Sequence, residues 1–399
     1  MKHKLAVSKP NTVTLLLLIS YATVSAVLFA PGLPQMSAFF AVSGSSIQFA
    51  VVAFLFAYAT GQLFYGILSN RFGRKKTICG GMLTGVLGVF LCIFSGWLGS
   101  FGLLLVGRFV EALGAGVGLA LTFIIINDYY FPAQAVKITT WAAIAFAISP
   151  GISSTIGGVL VTHLGWLYCF WFLAVYGLLI TALGLKLPET ASAEHRTAIN
   201  MSKIIASYRT AFANKQLLAF STLVGSTSAV LYIFLSVTPL IVINTFGVRP
   251  DVYGMLNLIL TCGLITGNII VLSICGKVRP GTLIRSGVLT LSAGILLVVG
   301  CFWLDMINPF TIFSSGFIVF LGIALQYSSA TTMAMANVHD KAYCAATMSF
   351  INAGTACLSI IIVSLSPATP LITLVVVLTL FLVVMLSAYF VGKTTISHR

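Results

Sequence analysis

Residues 66–76 read GILSNRFGRKK and place four basic side chains, Arg71, Arg74, Lys75 and Lys76, between two long apolar runs. The chain around them is strongly apolar, since 59% of its 399 residues are hydrophobic and only 7% are charged. Its mean hydropathy is +1.08. Soluble proteins carry about 25% charged residues. The composition therefore predicts a polytopic membrane protein in which residues 66–76 form a short loop between two spans.

Apolar runs recur along the whole chain, and each is long enough to cross about 30 Å of hydrocarbon. Twelve of them are predicted to be transmembrane helices, at 12–33, 45–68, 77–97, 102–126, 138–161, 165–186, 217–243, 252–274, 282–303, 309–332, 343–365 and 371–391. A long polar segment separates six spans from six. The sequence thus predicts an all-α membrane protein with two six-helix bundles, residues 1–190 and 216–399, joined by a cytoplasmic linker at 191–215.

The two halves resemble each other weakly. The first span contains SAVLF at Ser25–Phe29, and the seventh contains SAVLY at Ser228–Tyr232. Gly61-Gln62 in the second span likewise corresponds to Gly267-Asn268 in the eighth. Together with the six-plus-six count, these echoes predict two pseudo-symmetric bundles, which is how transporters build alternating access around a cavity at the midplane.

The placement of basic residues predicts the orientation. If the N-terminus is cytoplasmic, 19 of the 21 basic residues fall in inner segments, with only Arg249 in an outer loop and Arg108 inside a span. This satisfies the positive-inside rule and predicts a multi-pass inner-membrane protein with both termini in the cytoplasm. Topology and contact with the lipid bilayer account for the net charge of +14, so no nucleic-acid partner is expected.

An alternative for the start of the chain is a cleaved signal peptide, because residues 1–26 have a basic head, an apolar run and small residues at the end. It is disfavoured because the apolar run continues to Leu33 and cleavage would leave eleven spans.

The eight cysteines form no C-x-x-C pair and nearly all lie in predicted spans, so they are interpreted as small buried residues. No metal or cofactor is expected.

The loop at 66–76 resembles the signature G-x-L-a-D-r-x-G-r-k of the major facilitator superfamily. The matching positions are Gly66, Leu68, Arg71, Gly73, Arg74 and Lys75. Further motifs resemble the same superfamily: RFVEALGAG from Arg108 is similar to its fourth-span R-x-x-Q-G region, and SPGISSTIGG from Ser149 is similar to the fifth-span motif of its proton-driven efflux members. LPET at Leu187–Thr190 resembles the end of the sixth span in its twelve-span drug:proton antiporters.

The resemblance implies a conformational gate at the loop. A basic side chain there could pair with a carboxylate at the inner end of a neighbouring helix, forming a latch that breaks when the conformation changes. Asp128 occupies the position where the family supplies this carboxylate. Asn70 replaces the aspartate of the family motif, so any latch should depend more on Asp128. An alternative is that Arg71 to Lys76 only hold the loop on the cytoplasmic side.

Arg108 and Glu111 form the most informative pair in the sequence. They lie three residues apart on one face of the fourth span, and Glu111 is about 13 Å deep at 1.5 Å per residue. Charges at such depth usually face a cavity, pair with each other and take part in transport or proton relay. Glu111 is therefore the predicted proton-coupling residue and Arg108 a predicted substrate-binding residue. A purely structural pair is the alternative.

The first span contains Tyr21, Thr23 and Ser25 but no acid, whereas many cation-exporting relatives carry a carboxylate there. A cavity whose fixed charge is Arg108 suits neutral, zwitterionic or anionic molecules, because guanidinium is a natural partner of carboxylates. Further candidate substrate-binding residues are polar or aromatic positions within spans: Tyr58, Gln62, Tyr232, Asn257, Gln326, Tyr327 and Asn352. Each could instead be an ordinary interhelical hydrogen-bond partner.

Glycine and proline in the fifth span are candidate gating residues. Pro150, Gly151, Gly157 and Gly158 should bend or thin this helix, which permits close approach and movement of its neighbours. With the loop residues they complete the predicted gating set: Gly66, Asn70, Arg71, Gly73, Arg74 and Asp128.

The sequence contains no P-loop, H-E-x-x-H or G-x-S-x-G motif, which argues against an enzyme. With the family resemblance, it predicts a monomeric secondary transporter that exports a small organic compound in exchange for protons. The alternatives are a proton-coupled uptake carrier, a dedicated exporter of an anionic metabolite such as a carboxylate siderophore, and a membrane receptor that transports nothing.

Overall fold

The computed structural model describes residues 10–190, 201–274, 277–336, 338 and 340–397. In the first half, the helices are α1 Thr12–Val27, α2 Leu33–Phe39, α3 Phe49–Phe72, α4 Arg74–Leu98, α5 Phe101–Tyr129, α6 Pro132–His163 and α7 Leu167–Gly184. In the second half, they are α8 Met201–Ala213, α9 Lys215–Val242, α10 Pro250–Ile274, α11 Pro280–Trp303, α12 Pro309–Ala334, α13 Lys341–Leu365 and α14 Pro370–Ser397. The described residues contain no β-strand.

The predicted fold class is confirmed. Within the described residues, twelve helical segments are long and apolar enough to cross a membrane, and each matches one predicted span. The first segment, Thr12–Phe39, is longer than predicted and interrupted. It breaks after Val27, where a short turn at Ala30–Gly32 leads into α2. Pro31 and Pro34 lie at this break, and proline cannot donate the backbone hydrogen bond that would continue the helix.

The helices form two bundles. Helices α1 and α3–α7 pack against one another as the N bundle, and α9–α14 pack against one another as the C bundle. The main contacts between bundles involve two helix pairs, α6 with α10 and α3 with α13. The domain boundaries at residues 190 and 216 stay predictions, and residues 1–9, 191–200 and 398–399 of the predicted cytoplasmic segments lie outside the described residues.

Close packing of α4 on α5 sets the depth of the buried charges. The turn between them uses Gly99, which has φ of 62°, and α5 then begins with a hydrogen bond from Leu103 N to Ser100 Oγ (3.3 Å). Farther along, a Cβ atom on Gly107 would lie 2.7 Å from the backbone N of Cys92. Only glycine lets the two backbones approach this closely, and the small residue brings the next turn of α5, with its charges, against α4.

The bundles are joined at the end of the molecule opposite the loop at residues 66–76. There, Thr155 Oγ1 of α6 donates to Gly254 O of α10 (3.0 Å), and Asp251 N donates to Thr162 Oγ1 (3.0 Å). At the same end, Gln48 Nε2, directly before α3, donates to Ser236 O of α9 (2.6 Å). We call this the far end, and the end with the loop the motif end. Direct hydrogen bonds thus link the two bundles at the far end.

Helix α8 lies in the linker and was not predicted from the sequence. Its Tyr208 Oη donates to Leu63 O of α3 (2.7 Å), while the Tyr208 ring meets the edge of Tyr343 in α13 with centroids 5.0 Å apart. Burial, with Tyr343 and Asp340 nearby, raises the pKa of the Tyr208 phenol to about 12. Helix α8 therefore contacts both bundles near the motif end through an uncharged side chain.

Candidate functional site

The predicted ion pair lies in the interior of the N bundle. Arg108 Nη1 donates to Glu111 Oε2 at 2.6 Å, and both side chains are 0% exposed. The i, i+3 spacing on α5 predicted this contact correctly. Both side chains are completely buried, whereas the sequence predicted that charges at this depth face a cavity.

Two aromatic rings and a carbonyl surround the guanidinium of Arg108. Its Cζ lies 4.2 Å from the centre of the Phe29 ring and 4.4 Å from the centre of the Phe54 ring. Nη2 donates to Ser25 O at 3.1 Å, which belongs to the last turns of α1. Such cation–π contacts are stronger in surroundings without water. Arg108 is therefore held by α1, α3 and α5 together, and an anion could reach it only if one ring moved.

Several buried polar atoms collect around the carboxylate of Glu111. Glu111 Oε1, Ser25 Oγ, Tyr21 Oη and Arg108 Nε are all buried without a hydrogen-bond partner of good geometry. Ser25 and Tyr21 are nevertheless electrostatic neighbours of the carboxyl group. Unpaired buried polar atoms are rare and destabilising. A proton on Glu111 would supply a donor for the hydroxyl oxygens of Ser25 or Tyr21, so the group has suitable neighbours in its neutral form as well as when ionised.

Four predicted substrate-binding residues lie together between the bundles. Tyr58 of α3 has Tyr232 of α9 and Tyr327 of α12 as electrostatic neighbours. Asn352 of α13 donates from Nδ2 to Tyr327 Oη at 3.5 Å. Tyr327 has Tyr58, Tyr232 and Asn352 around it, yet 36% of its surface is exposed. We therefore infer that these four residues line a cavity between the bundles, and we call them the tyrosine cluster.

Three other predicted binding residues make their contacts within their own bundles. Gln62 Nε2 donates to Gly116 O at 3.5 Å, Asn257 Nδ2 to Tyr253 O at 2.9 Å, and Gln326 Nε2 contacts Met385 Sδ at 3.7 Å. All three side chains are buried. Gln62 and Gln326 thus contact a neighbouring helix of their own bundle, which is the alternative that their positions left open, whereas Asn257 bonds to its own helix, α10. A role in binding stays a prediction for all three.

The predicted loop latch forms an ion pair at the motif end. Arg74 Nε lies 3.1 Å from Asp128 Oδ2, and Arg74 Nη1 donates to Asn70 Oδ1 and Ser69 O, both at 2.9 Å. Arg71 is exposed and lies over the ring of Phe72. Helices α3, α4 and α5 all belong to the N bundle. The pair therefore does not connect the bundles, and a rigid rotation of one bundle against the other would leave it intact.

Glu189 is part of the same cluster and was not predicted to be functional. Its carboxylate accepts from Arg74 N (2.8 Å) and Lys75 N (3.3 Å) at the start of α4. A helix N-terminus stabilises negative charge through its free N–H groups. Gly73 has φ of 92°, and a Cβ there would lie 2.8 Å from the carboxyl carbon of Glu189. Glycine is therefore required at Gly73, whereas Gly66 has open space where its side chain would be.

The glycine and proline residues of α6 have different neighbours. Pro150 lies inside the helix. A Cβ on Gly151 would approach Cβ of Thr261 at 2.8 Å, and a Cβ on Gly158 would approach Cα of Asp251 at 3.1 Å, so both glycines lie at the crossing with α10. Gly157 instead faces the backbone of Leu28, the residue directly after α1. Two of the four predicted gating residues thus lie where the bundles meet.

In the part of the chain that the structure describes, twelve helical segments long enough to span a membrane form two bundles with the tyrosine cluster between them, an architecture typical of membrane transporters. The sequence profile of the Major Facilitator Superfamily matches residues 13–364. The chain therefore belongs to the major facilitator superfamily, which confirms the resemblance found in its loop and span motifs.

Curated relatives include several proteins named for drug resistance. The chain is 25% identical over 236 residues to the bicyclomycin resistance protein homolog of Haemophilus influenzae, covering 58% of each chain. It is 24% identical to the chloramphenicol resistance protein CraA of Acinetobacter baumannii, covering 71% of this chain and 68% of that protein. With the multidrug resistance protein MdtL of Escherichia coli it shares 24% identity over 75% of each. The match to the Haemophilus protein spans less than two thirds of that relative's length.

Solved structures share the fold at low identity. The crystal structure of a D-xylose-proton symporter superposes with a TM-score of 0.73 and 14% identity, covering 95% of this chain and 96% of that one. The inward-open structure of the xylose transporter XylE from E. coli gives a TM-score of 0.72 at 13% identity, covering 96% and 95%. At these identities the likeness establishes the fold alone.

Proposed function

We propose that this chain is a monomeric secondary transporter that exports a small organic compound across the inner membrane in exchange for protons. One observation carries the proposal: the ion pair Arg108–Glu111 is fully buried beside the tyrosine cluster, where Tyr232 is an electrostatic neighbour of Arg108. Intramembrane carboxylates that are retained at such a cost usually relay protons or bind the transported ion. The relatives named for resistance to bicyclomycin and chloramphenicol support export over uptake.

The closed far end supports alternating access. The many basic residues near the motif end favour a cytoplasmic position for that end by the positive-inside rule. In that orientation, the hydrogen bonds between α6 and α10 would hold the bundles together on the outer side. In this state substrate would reach the tyrosine cluster from the cytoplasm. Export requires the opposite state, in which the α6–α10 contacts separate and the motif end closes.

The tyrosine cluster suggests the class of substrate. Three phenols and one amide offer aromatic faces and neutral hydrogen-bonding groups, which suit an uncharged aromatic compound. Chloramphenicol has this chemistry, and it appears in the name of one relative. An anionic metabolite such as a carboxylate siderophore is the second candidate. It would need Arg108 to leave Phe29 and Phe54, so the observed burial favours the neutral compound.

Transport by inverted membrane vesicles tests the proposal. Vesicles with the cytoplasmic face outward and an acidic interior should accumulate labelled chloramphenicol, because protons leaving the vesicle drive substrate inward. An uptake carrier would instead release chloramphenicol preloaded in the same vesicles. A receptor that transports nothing would do neither. Vesicles without the protein give the background, and accumulation that survives collapse of the pH gradient would contradict proton exchange.

A further inference from the structure

We propose that Phe54 is a positioning residue that couples substrate binding at the tyrosine cluster to the protonation of Glu111. The inference rests on the proposed function, in which Glu111 carries the exchanged proton. It concerns the physical connection between the two sites, because a transporter that exchanges substrate for protons needs each site to respond to occupation of the other.

Phe54 lies between the cavity and the ion pair. Its ring is stacked on Tyr58, one helical turn away on α3, with ring centroids 6.2 Å apart and planes inclined by 9°. The centre of the same ring lies 4.4 Å from the guanidinium carbon of Arg108. Arg108 in turn holds Glu111 at 2.6 Å. A continuous series of contacts therefore runs from the cavity wall through Phe54 to the buried carboxylate.

The packing leaves Phe54 little freedom to move alone. Its side chain is only 1% exposed, and protein interiors are packed too densely for a ring to shift without moving its neighbours. An aromatic substrate that pressed on Tyr58 would move the Phe54 ring toward Arg108. The guanidinium would then be held more tightly against Glu111, which favours the ionised carboxylate.

The proton balance follows from this movement. When substrate binds, the O–H bond of protonated Glu111 breaks, the electron pair stays on the carboxylate and the proton passes to water. When a proton returns, Arg108 loses its ionic partner and moves back toward Phe54 and Tyr58, which disfavours the substrate. The groups that face Glu111 from its neighbours are Tyr21 and Ser25 of α1 and Cys92 of α4. In addition, Tyr232 of α9 faces Arg108.

Phe29 provides a matched control. Its ring lies 4.2 Å from the Arg108 guanidinium, about as close as that of Phe54. Its aromatic neighbour is Phe170 of α7, with centroids 6.1 Å apart and inside the N bundle. Removing either ring takes away one cation–π contact from Arg108. Only Phe54, however, also contacts the tyrosine cluster.

Substrate-induced proton release tests the inference. Chloramphenicol is added to purified protein in weakly buffered detergent solution, and a pH-indicator dye reports the protons released. The wild-type protein and Phe29→Leu should release protons, Phe54→Leu should bind chloramphenicol but release none, and Phe54→Tyr should restore release. Phe54→Met, which keeps more of the side-chain volume, replaces Phe54→Leu if the latter does not fold.

The outcomes separate this inference from the proposed function. Unchanged release by Phe54→Leu or Phe54→Met, with release abolished in Glu111→Gln, would overturn the role of Phe54 alone. Loss of release in Tyr232→Phe, with full release in Phe54→Leu, would instead assign the coupling to the direct approach of Tyr232 to Arg108. Absence of chloramphenicol binding or proton release in the wild type would overturn the proposed function, and the inference with it.

Discussion

Helix α5 contributes to two ion pairs that have similar chemistry and different surroundings. Arg108–Glu111 lies in the middle of the N bundle with both side chains 0% exposed, whereas Arg74–Asp128 lies at the motif end with side chains 14% and 29% exposed. The buried arginine has two aromatic rings and a carbonyl around it. Arg74, at the motif end, also donates to Asn70 and Ser69 and is partly open to water.

The difference in burial indicates which pair would respond more strongly to a change of charge. Breaking a buried ion pair by removing one partner destabilises a protein by about 3–5 kcal/mol, because an uncompensated charge remains. A solvent-exposed pair contributes about 0–1 kcal/mol. A proton on Glu111 therefore has a large effect on its surroundings, while any change in the Arg74–Asp128 pair shifts an equilibrium only slightly. The Arg74–Asp128 pair, which involves the most recognisable motif of the sequence, is thus the weaker of the two ion pairs.

The largest effect should come from Arg108→Ala. The variant leaves Glu111 buried without a cation, so we expect a loss of about 3–5 kcal/mol in unfolding free energy together with loss of gradient-driven transport. The double variant Arg108→Ala/Glu111→Gln removes the lone charge and should recover part of the stability but no transport. Chemical unfolding in detergent measures the first effect and vesicle uptake the second. Equal stability of the single and double variants would contradict an ionic interaction at this site.

A smaller effect, confined to the far end, is expected when the crossing of α6 and α10 is changed. Gly158→Val adds a side chain where Cα of Asp251 lies 3.1 Å from the position of a Cβ, so the far end should open. A cysteine introduced at Ser154, which is buried at this crossing, should then react faster with a maleimide from the outside. The background lacks the native cysteines. Gly80→Val is the control, because Gly80 has open space around it. Equal labelling in both variants would contradict closure by this crossing.

The hydrogen bond of Tyr208 in α8 should contribute less to the free energy of unfolding. Tyr208→Phe removes the hydrogen bond to Leu63 O, and a typical hydrogen bond contributes about 0.5–1.5 kcal/mol. The pKa of Tyr208 is raised to about 12 by burial, above the ordinary phenol value of about 10. The contribution should therefore be complete below about pH 10 and disappear only as pH rises through the raised pKa. Unfolding of wild type and Tyr208→Phe at several pH values measures it, and a difference lost below pH 9 would be the contrary result.

Changes in the Arg74–Asp128 pair at the motif end should have the smallest effects on transport. Arg74→Ala and Asp128→Asn each break a partly exposed contact of about 0–1 kcal/mol, so we expect modest changes in turnover that shrink further at high salt. Asn70→Asp should strengthen the cluster by adding a charge beside Arg74. Lys76→Ala removes a neighbouring exposed charge and is the matched control. If Arg74→Ala abolished transport while Lys76→Ala did not, the ranking of the two pairs would be wrong.

The spans and the ion pair could be predicted because they depend on local sequence. The length of each hydrophobic run corresponds to the thickness of the membrane. The i, i+3 spacing brings Arg108 and Glu111 into contact on one helix. The rings of Phe29 and Phe54 were not predicted, because their approach to Arg108 depends on how α1 and α3 pack against α5. In an apolar sequence with 29 phenylalanines, the sequence does not distinguish these two from the rest.

The candidate cavity residues show the same limit. Tyr58, Tyr232, Tyr327 and Asn352 were grouped with Gln62 and other polar positions, although the structure places Gln62 inside its own bundle. Which polar side chain faces a cavity depends on helix rotation, and weakly amphipathic membrane helices do not reveal it. The contact of Glu189 with the start of α4 could have been suspected, because an acidic residue after a span is a natural partner for a helix N-terminus.

The central claim is that Glu111 exchanges the proton, and proton movement itself tests it most directly. In proteoliposomes with an acidic interior and an internal pH indicator, chloramphenicol added outside should release protons from the lumen when wild-type protein is present. Glu111→Gln should still bind chloramphenicol and exchange it across the membrane, yet the internal pH should stay constant. Chloramphenicol-driven proton release by Glu111→Gln at the wild-type rate would contradict the account and leave Arg108–Glu111 as a structural pair.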